Sequence, residues 1–213
     1  MPVGPDMISF TPPTSPRSSK TLLWILMGIA VLAVLLFTEL PILRDAALFH
    51  DYRNHLVRDR YLLIPHIFFG ALALLSGPVQ FSSRLRRRHL RFHRVLGRVY
   101  VASVLLAAVL ALLLSAGGDL FIGECVHAGA WMICTLAAFL TARNRQIVQH
   151  RQWMIRSYAV TFTFILLRLP NSWPAYVNLS DASFTVVNIT TTFLAVLGPD
   201  LAFNWRELTI RHV

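Results

Sequence analysis

The chain has 213 residues, 55% of them hydrophobic and only 14% charged, with a net charge of +10. Soluble domains carry about 25% charged residues, so this composition excludes an ordinary soluble protein and indicates a membrane one. The positive charge does not indicate nucleic acid, because the basic residues cluster beside apolar runs, as in the cytosolic loops of membrane proteins.

Residues 1–20 are rich in Pro and Ser and read as a disordered cytosolic tail, leaving 21–213 as one membrane domain. Leu22–Phe37 is a first apolar run, stopped by Pro41 and slightly short of the ~20 residues that cross a bilayer. It lacks the small-residue cleavage pattern of a signal peptide. Glu39–Arg60 is a polar connection in which Leu43, Ala47 and Leu48 suit a short helix lying along the membrane. Tyr61–Phe81 is a second span, with Pro65 in its first turn.

A basic segment, His89–Tyr100, leads into a third span at Val99–Ala116. Gly117, Gly118 and Asp119 turn the chain into a fourth, Leu120–Ala142. A fifth, Trp153–Leu169, ends at Pro170, and the loop Asn171–Ser183 leads to a sixth, Phe184–Phe203. The expected fold is therefore all-α: an integral membrane bundle of about six helices with spans two to five, about residues 61–170, as its core. Arg17, Lys20, Arg84, Arg86–Arg88, Arg91, Arg94, Arg98, Arg143, Arg145, Arg151, Arg156, Arg206 and Arg211 fall on one side, against Arg44, Arg53, Arg58, Arg60 and Arg168 on the other. The positive-inside rule then makes both termini cytosolic, with anionic lipid beside the basic loops of a cell inner (plasma) membrane.

This topology sorts four histidines into two levels. His66 and His127 stand near the starts of the second and fourth spans, at the outer face. His93 and His150 just precede the third and fifth, at the inner face. One pair per leaflet is what bis-imidazole ligation of haem b requires, one neutral imidazole from each of two facing helices. His66, Gly70, Ala73 and Gly77 share a stripe, as do His93, Gly97 and Tyr100. Small residues leave room for a macrocycle, and equally let membrane helices pack closely. Arg168 lies 18 residues, five full turns, after His150, so it shares that face at the far end of the span. A haem propionate would partner it, and Arg94, Arg98, Arg151 and Arg156 would serve an inner haem likewise. Glu124, one turn before His127, would accept the other imidazole N–H.

Other features have plainer readings. His89 and His212 are solvated, and His50 and His55 are poorly spaced for a metal on one helix face. Cys125 and Cys134, nine apart, lie on opposite faces of one helix and cannot bridge. Arg86–Arg88 sets topology, Trp131 fits helix packing and Trp153 the interfacial aromatic belt. Glu124 and Asp200 would suit a proton-coupled transporter, but no inverted repeat accompanies them. Nucleophile motifs, phosphate loops and CxxC pairs are absent.

The runs PHIFFGALALLSGPVQF, HRVLGRVY and HRQWMIRSYAV, with Arg168 downstream, resemble the bacterial membrane proteins grouped as domain-of-unknown-function family 2306, from about Leu62 onward. That resemblance implies a multi-span membrane protein and no activity. More loosely, the alternating histidines and the HRVLG header are similar to the ascorbate-reducible cytochromes b, which hold two haems between four helices. The leading expectation is a haem-b electron carrier working with a quinone or another redox partner. The alternatives are a non-redox protein binding lipid or a small solute through its Arg/His headers, and a structural or assembly partner.

Overall fold

The structure is a computed structural model that describes residues 17–40, 44 and 60–209. The expected surface helix at 43–48, His50, His55, His212 and most of the N-terminal tail lie outside the described residues. The described residues form a helical membrane bundle without strands.

Helix α1 is Arg17–Val34, and it begins before the expected tail has ended. A wider π-type turn, Leu35–Glu39, carries it on and brings the Glu39 side chain inward. Helix α2 is Arg60–Gln80 and holds both Pro65 and Pro78. A short helix, α3, spans Ser83–Arg88, its start capped where Ser82 Oγ accepts the Leu85 N–H at 3.2 Å. Helices α4 (Leu90–Ser115), α5 (Phe121–Arg143) and α6 (Ile147–Arg168) follow, joined by tight turns. A 3₁₀ turn (Leu169–Ser172) and the short α7 (Pro174–Val177) occupy the expected loop before α8 (Asp181–Thr209).

Two of these helices start earlier than their apolar runs. The basic header before the third span is the first turns of α4, so His93 sits inside a helix and its N–H bonds His89 O at 3.0 Å. His150 is likewise in the first turn of α6, its N–H bonded to Gln146 O at 2.8 Å. Hydropathy marks where lipid begins, whereas the helix runs on into the headgroup layer, where arginine stems lie along apolar surface.

The tight turns have local causes. Gly117 takes φ 80°, which any Cβ would oppose, and sends α4 into α5. Arg145 takes φ 60° at the end of α5, where Gln146 N–H reaches back to Thr141 O at 2.9 Å in a Schellman-type closure.

Packing is close where residues are small. α2 lies along α4, α5 along α4 and α6, and α8 across α5 and α6. The core holds Ala73, Ala107, Ala108, Ala128 and Ala138 around Tyr100, Val104, Trp131, Met154, Tyr158 and Val160. Small seams let backbones approach, which is the source of helix association in lipid, where apolar burial alone gives no preference. Gly77 is the tightest case: a methyl there would overlap the Tyr158 ring, so α2 meets α6 only because the side chain is missing. Outward, Phe68, Leu106, Leu113, Ile133, Leu140 and Leu194 are exposed along the helices, as a surface facing acyl chains should be.

Among the described residues, four helices are long and apolar enough to cross a membrane: Tyr61–Gln80, Leu90–Ser115, Phe121–Arg143 and Asp181–Ala202. The apolar stretch Ile25–Glu39 is shorter. The expected fifth span is not among them, because α6 carries Arg151, Arg156, Ser157, Thr161, Thr163 and Arg168. α6 is nonetheless the innermost helix, with Ser157, Val160, Thr163 and Ile165 fully buried. Its hydroxyl groups and Arg156 face protein, which is where a membrane bundle can keep them, while Arg151 is exposed in its first turns.

Candidate functional site

A polar seam runs through the apolar bundle, with a histidine pair towards each end and a hydroxyl cluster between them. The central cluster joins α4, α5 and α6. Tyr100, at 0% exposure, reaches from α4 to α6, its hydroxyl 2.8 Å from Ser157 Oγ and 2.9 Å from Thr161 Oγ1. Trp131 of α5 donates its indole N–H to the same Thr161 oxygen at 2.8 Å. Thr135 Oγ1 is 2.7 Å from Ser157 Oγ and donates to Trp131 O, while Thr161 donates to Ser157 O. Each hydroxyl in the cluster has at least one hydrogen-bond partner within it, so the buried polar groups are satisfied.

At one end, His66 on α2 and His127 on α5 are near enough for charge on one to act on the other. His66 Nδ1 is 2.9 Å from Ala107 O on α4. His127 Nδ1 is 2.9 Å from Thr192 Oγ1 on α8, and that hydroxyl spends its own proton on Asn188 O at 2.8 Å. Glu124 does not supply this contact: its Oε1 accepts the Asn188 amide at 3.3 Å, and Thr192 holds the ring instead. The i, i+3 spacing of Glu124 and His127 puts them on one side of α5, but α8 packs there and interposes its own hydroxyl and amide.

At the other end, His93 on α4 and His150 on α6 lie within reach of one another's charge, with Arg86 and Arg94 also close to His93. His150 Nδ1 is 2.8 Å from Ala138 O on α5. His93 Nδ1 is buried without a hydrogen-bond partner, while the His93 backbone carbonyl accepts the Gln80 amide at 3.3 Å.

A carbonyl oxygen only accepts, and Thr192 has its proton committed elsewhere, so His66, His127 and His150 each carry the proton on Nδ1. In a neutral ring that arrangement leaves the lone pair on Nε2.

Two of the arginines expected to hold propionates, Arg156 and Arg168, have partners within the chain. Arg156 pairs with Asp200 of α8 and stacks over the Trp153 ring at 4.8 Å. Arg168 Nη1 is 2.6 Å from Glu39 Oε1, and its guanidinium lies 4.7 Å over the Phe164 ring. Arg98 is exposed and Arg94 is exposed beside His93. Glu39 had been assigned to the polar connection, yet it is 2% exposed. The π-type turn is what re-aims it, and no spacing rule in the sequence signals that turn. The central hydroxyl cluster was also missed, although Ser157 and Thr161, and Trp131 and Thr135, each stand at i, i+4 inside apolar runs. That spacing is a legible sign of a shared polar stripe.

Cys125 and Cys134 are both free thiols, the first exposed and the second buried. No group of three or more His, Cys, Asp or Glu side chains gathers as a metal site among the described residues.

No curated protein and no solved structure matches the chain. The family model described as "Predicted membrane protein (DUF2306)" matches residues 63–201, from the start of α2 into the last helix, and includes every histidine and hydroxyl of the seam. The chain belongs to that family of membrane proteins.

Proposed function

We propose that this protein is a transmembrane b-type haem electron carrier, with His93 and His150 holding one haem and His66 and His127 a second. The observation that carries the reading is the protonation of the rings. Three of the four imidazoles are fixed with Nδ1–H on an oxygen of a neighbouring helix. This is the form in which histidine offers Nε2 to a metal, with the oxygen orienting the ring and raising its basicity. Two imidazoles per level, each from a different helix, suit axial ligation of a flat macrocycle.

The haem would supply one-electron chemistry, which no side chain here provides. The chain's own residues do the rest. Ala107 O, Thr192 and Ala138 O hold the rings in place, and the Tyr100 cluster fills the bundle's middle so that water does not cross between the two levels. Arg94 and Arg86 place positive charge beside the His93 level, where it would favour carboxylate groups. A quinone in the membrane or a redox protein at either face would complete the electron path.

The test is optical. The full chain, expressed with haem supply and purified in detergent, should give a reduced-minus-oxidised b-type spectrum. His93→Ala and His150→Ala should abolish the same spectral component, and His66→Ala and His127→Ala the other. A folded, colourless preparation would overturn the reading, and so would independent effects within a pair.

A further inference from the structure

We infer that the groove between α1 and α2 binds an anionic phospholipid, one acyl chain lying along the groove and the phosphate resting on the arginines of α3. This inference stands apart from the haem reading, because none of its residues belongs to the histidine pairs.

The groove exists because α1 packs on α6 and meets α2 at Leu74, leaving the α1–α2 face open beside that contact. Val31 and Val34 of α1 pack in a cluster with Leu74 and Ile165, and beside that contact the two helices leave a cleft of about 700 Å³. Its walls are Gly28, Leu32, Leu75 and Val79, with Tyr158 at the base and Ser82 at one end. The Tyr158 hydroxyl donates to Leu74 O at 3.2 Å, and its ring meets Phe81 edge-on at 5.6 Å. The base of the groove is therefore a hydrocarbon surface with its polar atom already satisfied. The volume falls in the range of about 300–1,000 Å³ typical of ligand sites. At Gly28 an added side chain would meet nothing within 4 Å, so the space there is open.

The groove ends where the charge begins. Ser82 lines it and also caps α3, so the start of that helix is fixed at the groove's mouth. On α3, Leu85 is half-buried while Arg84, Arg87 and Arg88 are exposed. Their i, i+3, i+4 spacing gathers three guanidinium groups on one face. Arg86 turns the other way, towards His93. An apolar trough that opens beside three cations is complementary to an amphiphile with a negative head. Clustered arginines at the cytosolic end of membrane helices are a recognised attractor of such headgroups. A neutral isoprenoid would have no use for the arginines, and a soluble phosphate none for the trough.

The full chain is purified in mild detergent from membranes containing both anionic and zwitterionic phospholipids, and retained lipid is identified by native mass spectrometry. We expect anionic phospholipid to be retained over zwitterionic by about tenfold. The triple variant R84Q/R87Q/R88Q should remove that preference. The control R143Q/R145Q/R151Q changes three exposed arginines near the other basic turn and should keep it. Gly28→Phe should lower retention of lipid of either class without shifting the unfolding midpoint. Equal retention of both lipid classes by the unaltered chain would overturn the inference, as would an effect of the control equal to that of the α3 triple. Retention unchanged by Gly28→Phe would overturn the groove, and a neutral isoprenoid recovered from it would overturn the choice of occupant.

Discussion

Tyr100 is the residue on which the bundle's centre turns. Its hydroxyl joins α4 to α6 through Ser157 and Thr161, but neither of those depends on it alone, because Trp131 and the Ser157 carbonyl still satisfy Thr161. Removing the hydroxyl deletes a hydrogen bond without leaving an orphaned group. Tyr100→Phe should therefore cost about 1 kcal/mol, near the values measured for hydrogen bonds between membrane helices. Tyr100→Leu also opens a cavity in a site with 0% exposure and should cost about 3 kcal/mol. Denaturant or thermal unfolding in detergent checks the order. If the two variants are equally destabilised, the hydroxyl rather than the ring volume holds the centre.

At the scale of elements, α1 is the helix least embedded in the bundle. Its fixed points are the Val31–Val34 face and the ion pair between Glu39 and Arg168. The two partners are unequally placed: the Glu39 side chain is 3% exposed and that of Arg168 22%. Removing one member of a buried pair strands the other, and the cost follows the burial of the one left behind. Arg168→Gln should therefore destabilise by about 3 kcal/mol and loosen α1, while Glu39→Gln should cost about half as much, since Arg168 keeps the Phe164 face and some access to water. Limited proteolysis after 40 and the unfolding midpoint report the two effects. Equal losses would show that the pair lies at a depth where both charges are fully desolvated.

The same elements show what could be read from sequence. Helix type and order follow from long apolar runs between basic or Gly-rich turns, and the structure has helices at all six expected runs. Chain direction alone sorts His93 and His150 to one end of the bundle and His66 and His127 to the other. The partners were not legible. Ala138 O and Ala107 O are backbone groups carrying no sequence signature, and Thr192 is one of three consecutive threonines, distinguishable only once the rotation of α8 is known. Glu39 illustrates the limit: a single π-type turn moves its carboxylate from an expected loop to a buried ion pair.

For the whole molecule, the difference between four apolar helices and six expected spans lies in α1, whose apolar stretch is shorter, and in α6. Composition argues against its crossing, because Arg156, Ser157, Thr161 and Thr163 lower its hydropathy. Burial argues for it. The penalty for a polar group in a bilayer falls on groups facing lipid, and these face α4, α5 and α8: Ser157 and Thr161 bond Tyr100, and Arg156 pairs with Asp200. The basic turns on either side of α3 and between α5 and α6 lie at one end of the bundle, and the Gly117–Asp119 turn at the other. With the native thiols replaced by Cys125→Ser and Cys134→Ala, a membrane-impermeant maleimide should label Asp119→Cys in intact cells and Arg145→Cys only after permeabilisation. Trp173→Cys, beyond the end of α6, decides the matter. If α6 crosses, Trp173→Cys labels with Asp119→Cys from outside. Protection of Trp173→Cys together with Arg145→Cys would mean that α6 stays on the inner side, and the His93–His150 level could not then be bridged by two spanning helices.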